Sequence, residues 1–265
     1  MDNRYLRNIP ALTEADCRLL SRKQVALIGC GGLGGYSIEY LARLGIGGIR
    51  CVDGDVFEES NLNRQLLSSA SRLGTSKAAA AADRVREINP DVQVNTYQEF
   101  ITSSNIMDLI RDYDFILDGT DNFPAKFLIN DACVMAGKPF SHAGIIRFKG
   151  QLMTVIPGEG PCYRCVFKNP PPKDAVPTCR QAGVIGAMAG VIGRLQALEA
   201  IKYITGTGEL LVGSLLTFDA LTMEFHKIRL PKKDPNCAVC GEHPTITKLI
   251  DYEQAACDWK PGEKV

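Results

Sequence analysis

Two sets of residues in this chain have types and spacings that can do chemistry. Gly29, Gly31 and Gly34 form G-x-G-x-x-G between the apolar run VALIG and an amphipathic stretch. Glycines let such a turn tighten and let a phosphate approach the backbone, while the helix that follows offers its first N–H groups. Asp53, near the end of the next apolar run, is placed to accept hydrogen bonds from ribose hydroxyls. Taken alone, the loop favours a nicotinamide-dependent oxidoreductase and does not identify the nucleotide. It lacks the G-K-[ST] ending of a P-loop, which argues against a Walker-type ATPase.

The second set is Cys162, Cys165, Cys237 and Cys240, two C-x-x-C pairs far apart in the chain. Each pair can clamp a metal from one tight turn, and four thiolates suit tetrahedral Zn²⁺ with no open coordination position, a structural rather than catalytic ion. A redox dithiol is the competing reading, but redox C-x-x-C stands at a helix start and needs no second copy. Cys179 lies outside both pairs, after the proline-rich stretch NPPPKDAVPT, with Arg180 beside it and a helix start soon after. That setting suits a reactive thiol, and equally a loop cysteine with no chemistry. Cys17, Cys30, Cys51 and Cys133 fall in apolar elements and read as small core residues. Cys257 has no assigned role.

The elements that must position these residues follow from periodicity. VALIG (25–29), the helix 33–44 and GIRCVDGD (48–55) read as strand, helix and strand, with Asp53 and Asp55 at the second strand's end. A helix over 75–88 stops at Asn89-Pro90. DVQVNTY is a strand, SNIMDLIRD a short helix, and DFILDGTDN a buried strand running into a polar turn before a helix opened by Pro124. Alternation through residue 143 predicts an α/β fold with a doubly wound, mostly parallel Rossmann-like sheet and helices on both faces. Beyond it, GIIRFKGQLMTVIP reads as paired strands, 182–204 as one long small-residue-rich helix, and 210–218 and 221–229 as antiparallel strands. The proline-rich stretch cannot be regular helix. The expected organisation is one domain over 1–241, with a nucleotide-binding half of about 20–143, a second half of about 144–241 that carries both cysteine pairs, and a tail at 242–265.

Composition removes other classes. With 45% apolar residues among 265, a large core needs no disulfides. Thirty basic residues balance thirty acidic ones, leaving no overall charge for nucleic acid or an anionic membrane. The charged N-terminus lacks a signal-peptide core and no apolar run is long enough to span a bilayer, so a cytoplasmic location is expected.

The segment DGDVFEESNLNRQ, Asp53 to Gln65, resembles the ThiF/MoeB/HesA group of enzymes that activate ubiquitin-like proteins. The resemblance continues through Lys77, DGTDN (Asp118 to Asn122), PCYRC, Thr178-Cys179, GVIGRLQALEAIK and NCAVCG, over roughly residues 4 to 241. It implies adenylation by ATP and Mg²⁺ of the C-terminal Gly-Gly carboxylate of a small β-grasp sulfur-carrier protein, followed by thiolation by a separate sulfur donor. It further implies that Asp53 holds the ribose, and that Gly32, Asp55, Asn61, Arg64, Gln65, Lys77 and Asn122 join the loop glycines around the nucleotide. Asp121 is then the Mg²⁺ residue, and Arg7 reaches into a neighbouring subunit's ATP site, which requires a homodimer. Arg64 and Lys77 supply positive charge to a triphosphate, and the attacking carboxylate is already ionised, so no general base is needed. In ThiF-like relatives the cysteine matching Cys179 bonds to the carrier; in MoeB-like relatives it is dispensable. The residues after Gly241 are expected to be too few for a rhodanese-like domain. Two other readings stand beside this one. An oxidoreductase leaves Arg64, Lys77, Asp121 and the cysteine pairs without a role, and a non-catalytic carrier-binding scaffold has no need of the phosphate and Mg²⁺ residues.

Overall fold

A computed structural model describes residues 3–171 and 179–252, without the side chains of 179 and 180. The chain runs α1 (Glu14–Leu20), β1 (Gln24–Ile28), α2 (Gly32–Leu44), β2 (Gly48–Val52), α3 (Lys77–Ile88), β3 (Gln93–Tyr97), α4 (Ile106–Ile110), β4 (Phe115–Asp118) and α5 (Phe123–Ala136). It continues with β5 (Phe140–Ile146), β6 (Lys149–Val155), α6 (Tyr163–Val166), α7 (Cys179–Ala182), α8 (Gly186–Thr205), β7 (Ser214–Asp219) and β8 (Glu224–Arg229). The strands form one sheet in the order β3-β2-β1-β4-β5-β6-β7-β8. Pairings are parallel from β3 to β5 and antiparallel from β5 to β8. The mixed α/β architecture expected from the sequence is the one observed, and β5 carries the switch from parallel to antiparallel pairing.

Burial explains why β1 and β4, inside the parallel part of the sheet, read as apolar runs, while the edge strand β3 is largely exposed. Val25 and Leu27 of β1 pack with α2, α3 and α8 on one face, while Ala26 and Ile28 pack with α4 and α5 on the other. From β1 the chain moves to β2 and β3 on one side, then returns to β4 on the other. The loops leaving β1 and β4 therefore diverge at the strands' carboxyl ends, opening the crevice where such sheets bind ligands.

One expected element differs. The helix anticipated over 182–204 begins at Gly186, and Ala182 instead ends the short α7. Gly183 adopts φ +80° and Val184 bridges to Arg147, so the chain is extended between the two helices. The small residues of α8 do allow close packing, and the partner the structure supplies is α2 of the same chain. Ser37 Oγ donates to Gly193 O at 2.8 Å, and a Cβ on Gly193 would come within 2.5 Å of Leu33 O. Among the described residues, no helix is long and apolar enough to cross a membrane.

Candidate active site

The crevice is built on glycine contacts. Gly29 takes φ +94°, and a Cβ on Gly34 would lie 1.9 Å from Gly29 O, so the turn admits no side chain at either position. Gly31 is the N-cap of α2 and contributes no capping side chain, which leaves that helix end to a ligand. The loop after β2 then closes over it. Positions where Cβ atoms of Gly31 and Gly32 would stand are 3.5 Å from Gln65 Nε2 and 3.8 Å from Arg64 Cγ. Gln65 is buried and its Oε1 has no partner among the described residues, an unsatisfied polar atom beside the glycine loop.

The charged residues lie around this loop. Arg64 NH1 donates to Ser60 O at 2.9 Å and Asn63 Oδ1 at 3.0 Å. Asp53 accepts from Cys30 N at 2.7 Å and Asp55 N at 2.9 Å, using half its acceptor capacity. Burial pushes the Asp53 carboxyl up, against the Asp55 N–H, the Lys77 charge and the Cys30 N–H. The buried Lys77 pairs with exposed Asp55 at 2.9 Å. Asn61 spends its Oδ1 on Glu58 N, and Asn122 caps α5 by accepting from Ala125 N at 2.9 Å. Both asparagines therefore hold loops of the site together. Asp121 is exposed at the end of the turn leaving β4.

That turn rests on residues the sequence did not single out as functional. Asp118, wholly buried, meets Lys126 Nζ at 3.2 Å, His142 Nδ1 at 2.7 Å and Thr120 Oγ1 at 2.6 Å. Gln196 Nε2 donates to Asp118 O at 2.8 Å from the opposite face. A lone lysine in FPAKFLIN and a lone histidine in FSHAGII are the available signals, because a charge inside a buried run needs a partner. Burial alone would push the Asp118 carboxyl up, but Lys126, His142 and Thr120 hold it far below the usual carboxylate range. Burial pushes the His142 imidazole down, and the Lys126 charge adds to that.

Both depressed groups stabilise the fold at neutral pH and lose that contribution on acidification. For His142 the loss begins as pH falls below about 6.5, and for Asp118 below about 3.9. Urea unfolding across this range should show stability declining as pH falls below about 6.5, a decline that His142→Gln removes, with the decline below about pH 4 retained. An unaltered profile in the variant would assign the first decline elsewhere.

Arg7 is exposed and far from its own crevice. Tyr5, two residues earlier, accepts from Asn89 Nδ2 at 2.7 Å and packs on Gly45, the C-caps of α3 and α2. The 13-residue α2 separates Gly45 from the glycine loop by about 20 Å.

The four C-x-x-C cysteines converge. Their sulfurs lie within 4.8 Å of one another, with contacts of 3.9 Å (Cys162–Cys165), 3.6 Å (Cys162–Cys237) and 3.4 Å (Cys165–Cys240). These are far beyond a disulfide bond, and close to the S···S spacing of about 3.8 Å that tetrahedral Zn–S bonds of ~2.3 Å require. Cys17, Cys30, Cys51 and Cys133 are buried, as expected of core residues. Cys179 opens α7, but its side chain lies outside the described residues, as does Cys257.

The ThiF family model matches residues 4–239. The chain belongs to the ThiF family. Adenylyltransferase and sulfurtransferase MOCS3 of Sus scrofa is 45% identical over 252 residues, covering 94% of this chain and 55% of that protein. The Drosophila sechellia protein of the same name is 45% identical over 234 residues, covering 88% and 52%. This ThiF-family chain thus spans about half the length of the curated relatives it matches. E. coli MccB in its structure with ATP superposes with a TM-score of 0.76 at 24% identity, over 91% of this chain and 75% of that one. MccB with AMPCPP and MccA gives 0.79 at 24% identity, over 91% and 74%. At that identity the likeness is one of fold.

Proposed function

We propose that this chain adenylates the C-terminal carboxylate of a small ubiquitin-like sulfur-carrier protein. The observation that carries the reading is Arg64 lying along Gly32 at the start of α2, with Lys77 opening α3 and Asp121 on the loop leaving β4. Two cations and an exposed carboxylate around a glycine loop suit a triphosphate with Mg²⁺ better than a nicotinamide dinucleotide, which leaves all three without work. The same three residues argue against a scaffold without turnover. The relatives named adenylyltransferase and sulfurtransferase support this direction.

In the reaction a carrier carboxylate oxygen bonds to the α-phosphorus of ATP. The bond from that phosphorus to the bridging oxygen breaks, and pyrophosphate leaves with the electron pair. No proton moves. Asp53 has acceptor sites left for the ribose, and the α2 N-terminus with Arg64 and Lys77 neutralises the phosphates and holds them in line. Asp121 would hold Mg²⁺, a hard cation that takes one or two protein carboxylates and would neutralise phosphate charge. The four thiolates would hold a structural Zn²⁺, and thiolation would fall to a separate sulfur donor. Carrier-dependent exchange of labelled pyrophosphate into ATP tests the reading; no exchange with any Gly-Gly carrier overturns it.

Arg7 fits the scheme only in trans, in a homodimer. Arg7→Ala and Arg64→Ala chains are each expected to be inactive alone. Co-expressed, they should recover about one quarter of wild-type exchange, since half the dimers are mixed and each mixed dimer has one complete site. No recovery would remove Arg7 from the site.

A further inference from the structure

Between Asp118 and Asp121 the chain makes a turn whose polar groups are tied down from behind. Thr120 N and Oγ1 both donate to Asp118 Oδ1, at 3.0 and 2.6 Å, closing the turn on its own first residue. Gly119 lies so close to the glycine loop that a Cβ on it would stand 2.6 Å from Gly29 O. Lys126, on the first turns of α5, reaches back into this arrangement. Its Nζ donates to Thr120 O at 2.7 Å, to Ala143 O of β5 at 2.8 Å and to Asp118 Oδ2 at 3.2 Å. An ammonium has three donors, and all three are used. The side chain is 8% exposed, so it does not present itself to a ligand in the crevice.

We propose that Lys126 is the positioning residue for Asp121, fixing the Asp118–Asp121 turn so that the Asp121 carboxylate is held at the mouth of the crevice. Among the described residues, no other side chain ties together the carboxylate that starts the turn, the carbonyl just before Asp121 and the neighbouring strand. His142 braces Asp118 from β5, and its bond goes to the Asp118 carboxylate rather than to the Thr120 carbonyl. Buried ion pairs are often replaceable by apolar groups without loss of stability, so stability alone is a weak reason to keep a lysine here. Three hydrogen bonds in set directions supply something an apolar group lacks, a single geometry for the turn. That geometry matters most for a metal-holding carboxylate, because Mg²⁺ demands near-octahedral placement of its ligands.

The inference rests on the reading of Asp121 as the Mg²⁺ residue, and nucleotide binding separates the two without an activity assay. Calorimetric titration with a β,γ-methylene ATP analogue, with and without Mg²⁺, is run on the full chain and on Asp121→Ala, Lys126→Met and Lys126→Arg. Mg²⁺ should tighten wild-type binding about tenfold, and Asp121→Ala should lose that gain. Lys126→Met should lose most of it while metal-free affinity changes less than about twofold, and Lys126→Arg should restore it in large part. A folded Lys126→Met chain with the full Mg²⁺ gain overturns the positioning role alone. A wild-type chain with no Mg²⁺ gain overturns the reading of Asp121 and the inference with it. Where Lys126→Met fails to fold, Thr120→Val keeps the lysine and removes the hydroxyl that closes the turn. It should lose about threefold of the Mg²⁺ gain, and an undiminished gain there overturns the proposal.

Discussion

Arg64→Ala is expected to lower carrier-dependent ATP–pyrophosphate exchange by about 10²–10³-fold, the scale seen when one preorganised donor to a developing charge is removed. Asp121→Ala should fall as far. The effect belongs to the site and not to the fold. Arg64 is half-buried, and its bonds run to Ser60 and Asn63 within its own loop, while Asp121 is exposed. Both variants should therefore retain the wild-type melting temperature. Arg64→Lys provides a finer check, since it keeps the charge and loses the fork that bonds two phosphate oxygens in parallel. It should recover only part of the rate. Exchange above about a third of wild type in Arg64→Ala would be too small a loss for a transition-state contact of this kind.

If the cysteine cluster holds Zn²⁺, as proposed, removing the ion is expected to act in the opposite way, on stability before chemistry. The cluster joins the turn at Cys162–Cys165 to that at Cys237–Cys240, and Cys162, Cys165 and Cys237 are buried against α5 residues such as Phe127 and Cys133. Beyond it the chain crosses back over the domain. Asp251 accepts from Ser103 N at 2.6 Å and Ser103 Oγ at 2.7 Å, and Tyr252 Oη donates to Asp131 at 2.9 Å. Asp131 is also bound by the buried Arg164, which sits between the first two cysteines. Loss of metal leaves four thiols facing one another and releases both turns. Structural zinc contributes about 10–16 kcal/mol in small zinc-binding peptides, and even a third of that would lower the melting temperature by roughly 10 °C in a domain of this size. Chelation, or Cys237→Ser, should produce that drop with loss of one zinc per chain by elemental analysis. Zinc-free protein with an unchanged melting curve would remove the metal from this cluster's role.

The order of strands and helices up to β5 was legible because most of these elements bury an apolar face that shows in local periodicity, the largely exposed β3 being the exception. The paired C-terminal strands were legible from their lack of helical spacing, although β8 is exposed along its whole length. The break before α8 was not. Its residues have the composition of a helix, and the left-handed Gly183 and the Val184 bridge to Arg147 become favourable only when another segment is alongside. The residues assigned to the nucleotide in the proposed reaction, Gly29, Gly31, Gly34, Asp53, Arg64, Lys77 and Asp121, could be named from motif order and the family resemblance, because ligand chemistry dictates residue type. The residues behind them could not. Lys126, His142 and Gln196 look like ordinary members of a helix or strand until the sheet brings them to Asp118.

By itself the sequence pointed to a nucleotide phosphate at the loop Gly29–Gly34 and to two cysteine pairs available to one metal. Both follow from residue type at short spacing, where the local chain already dictates geometry. Only the tertiary structure decided that the two pairs share one site, that Arg64 lies over the glycine loop, and that Arg7 stands at the far end of α2 from its own crevice. Those are distances between segments remote in sequence, set by the β1–β4 switch point and the packing of α2 against α8. Folding also divided the two aspartates of DGTDN. Asp118 became a buried counter-charge locked by Lys126, and Asp121 was left exposed, because one ends a strand inside the sheet and the other lies on the loop outside it.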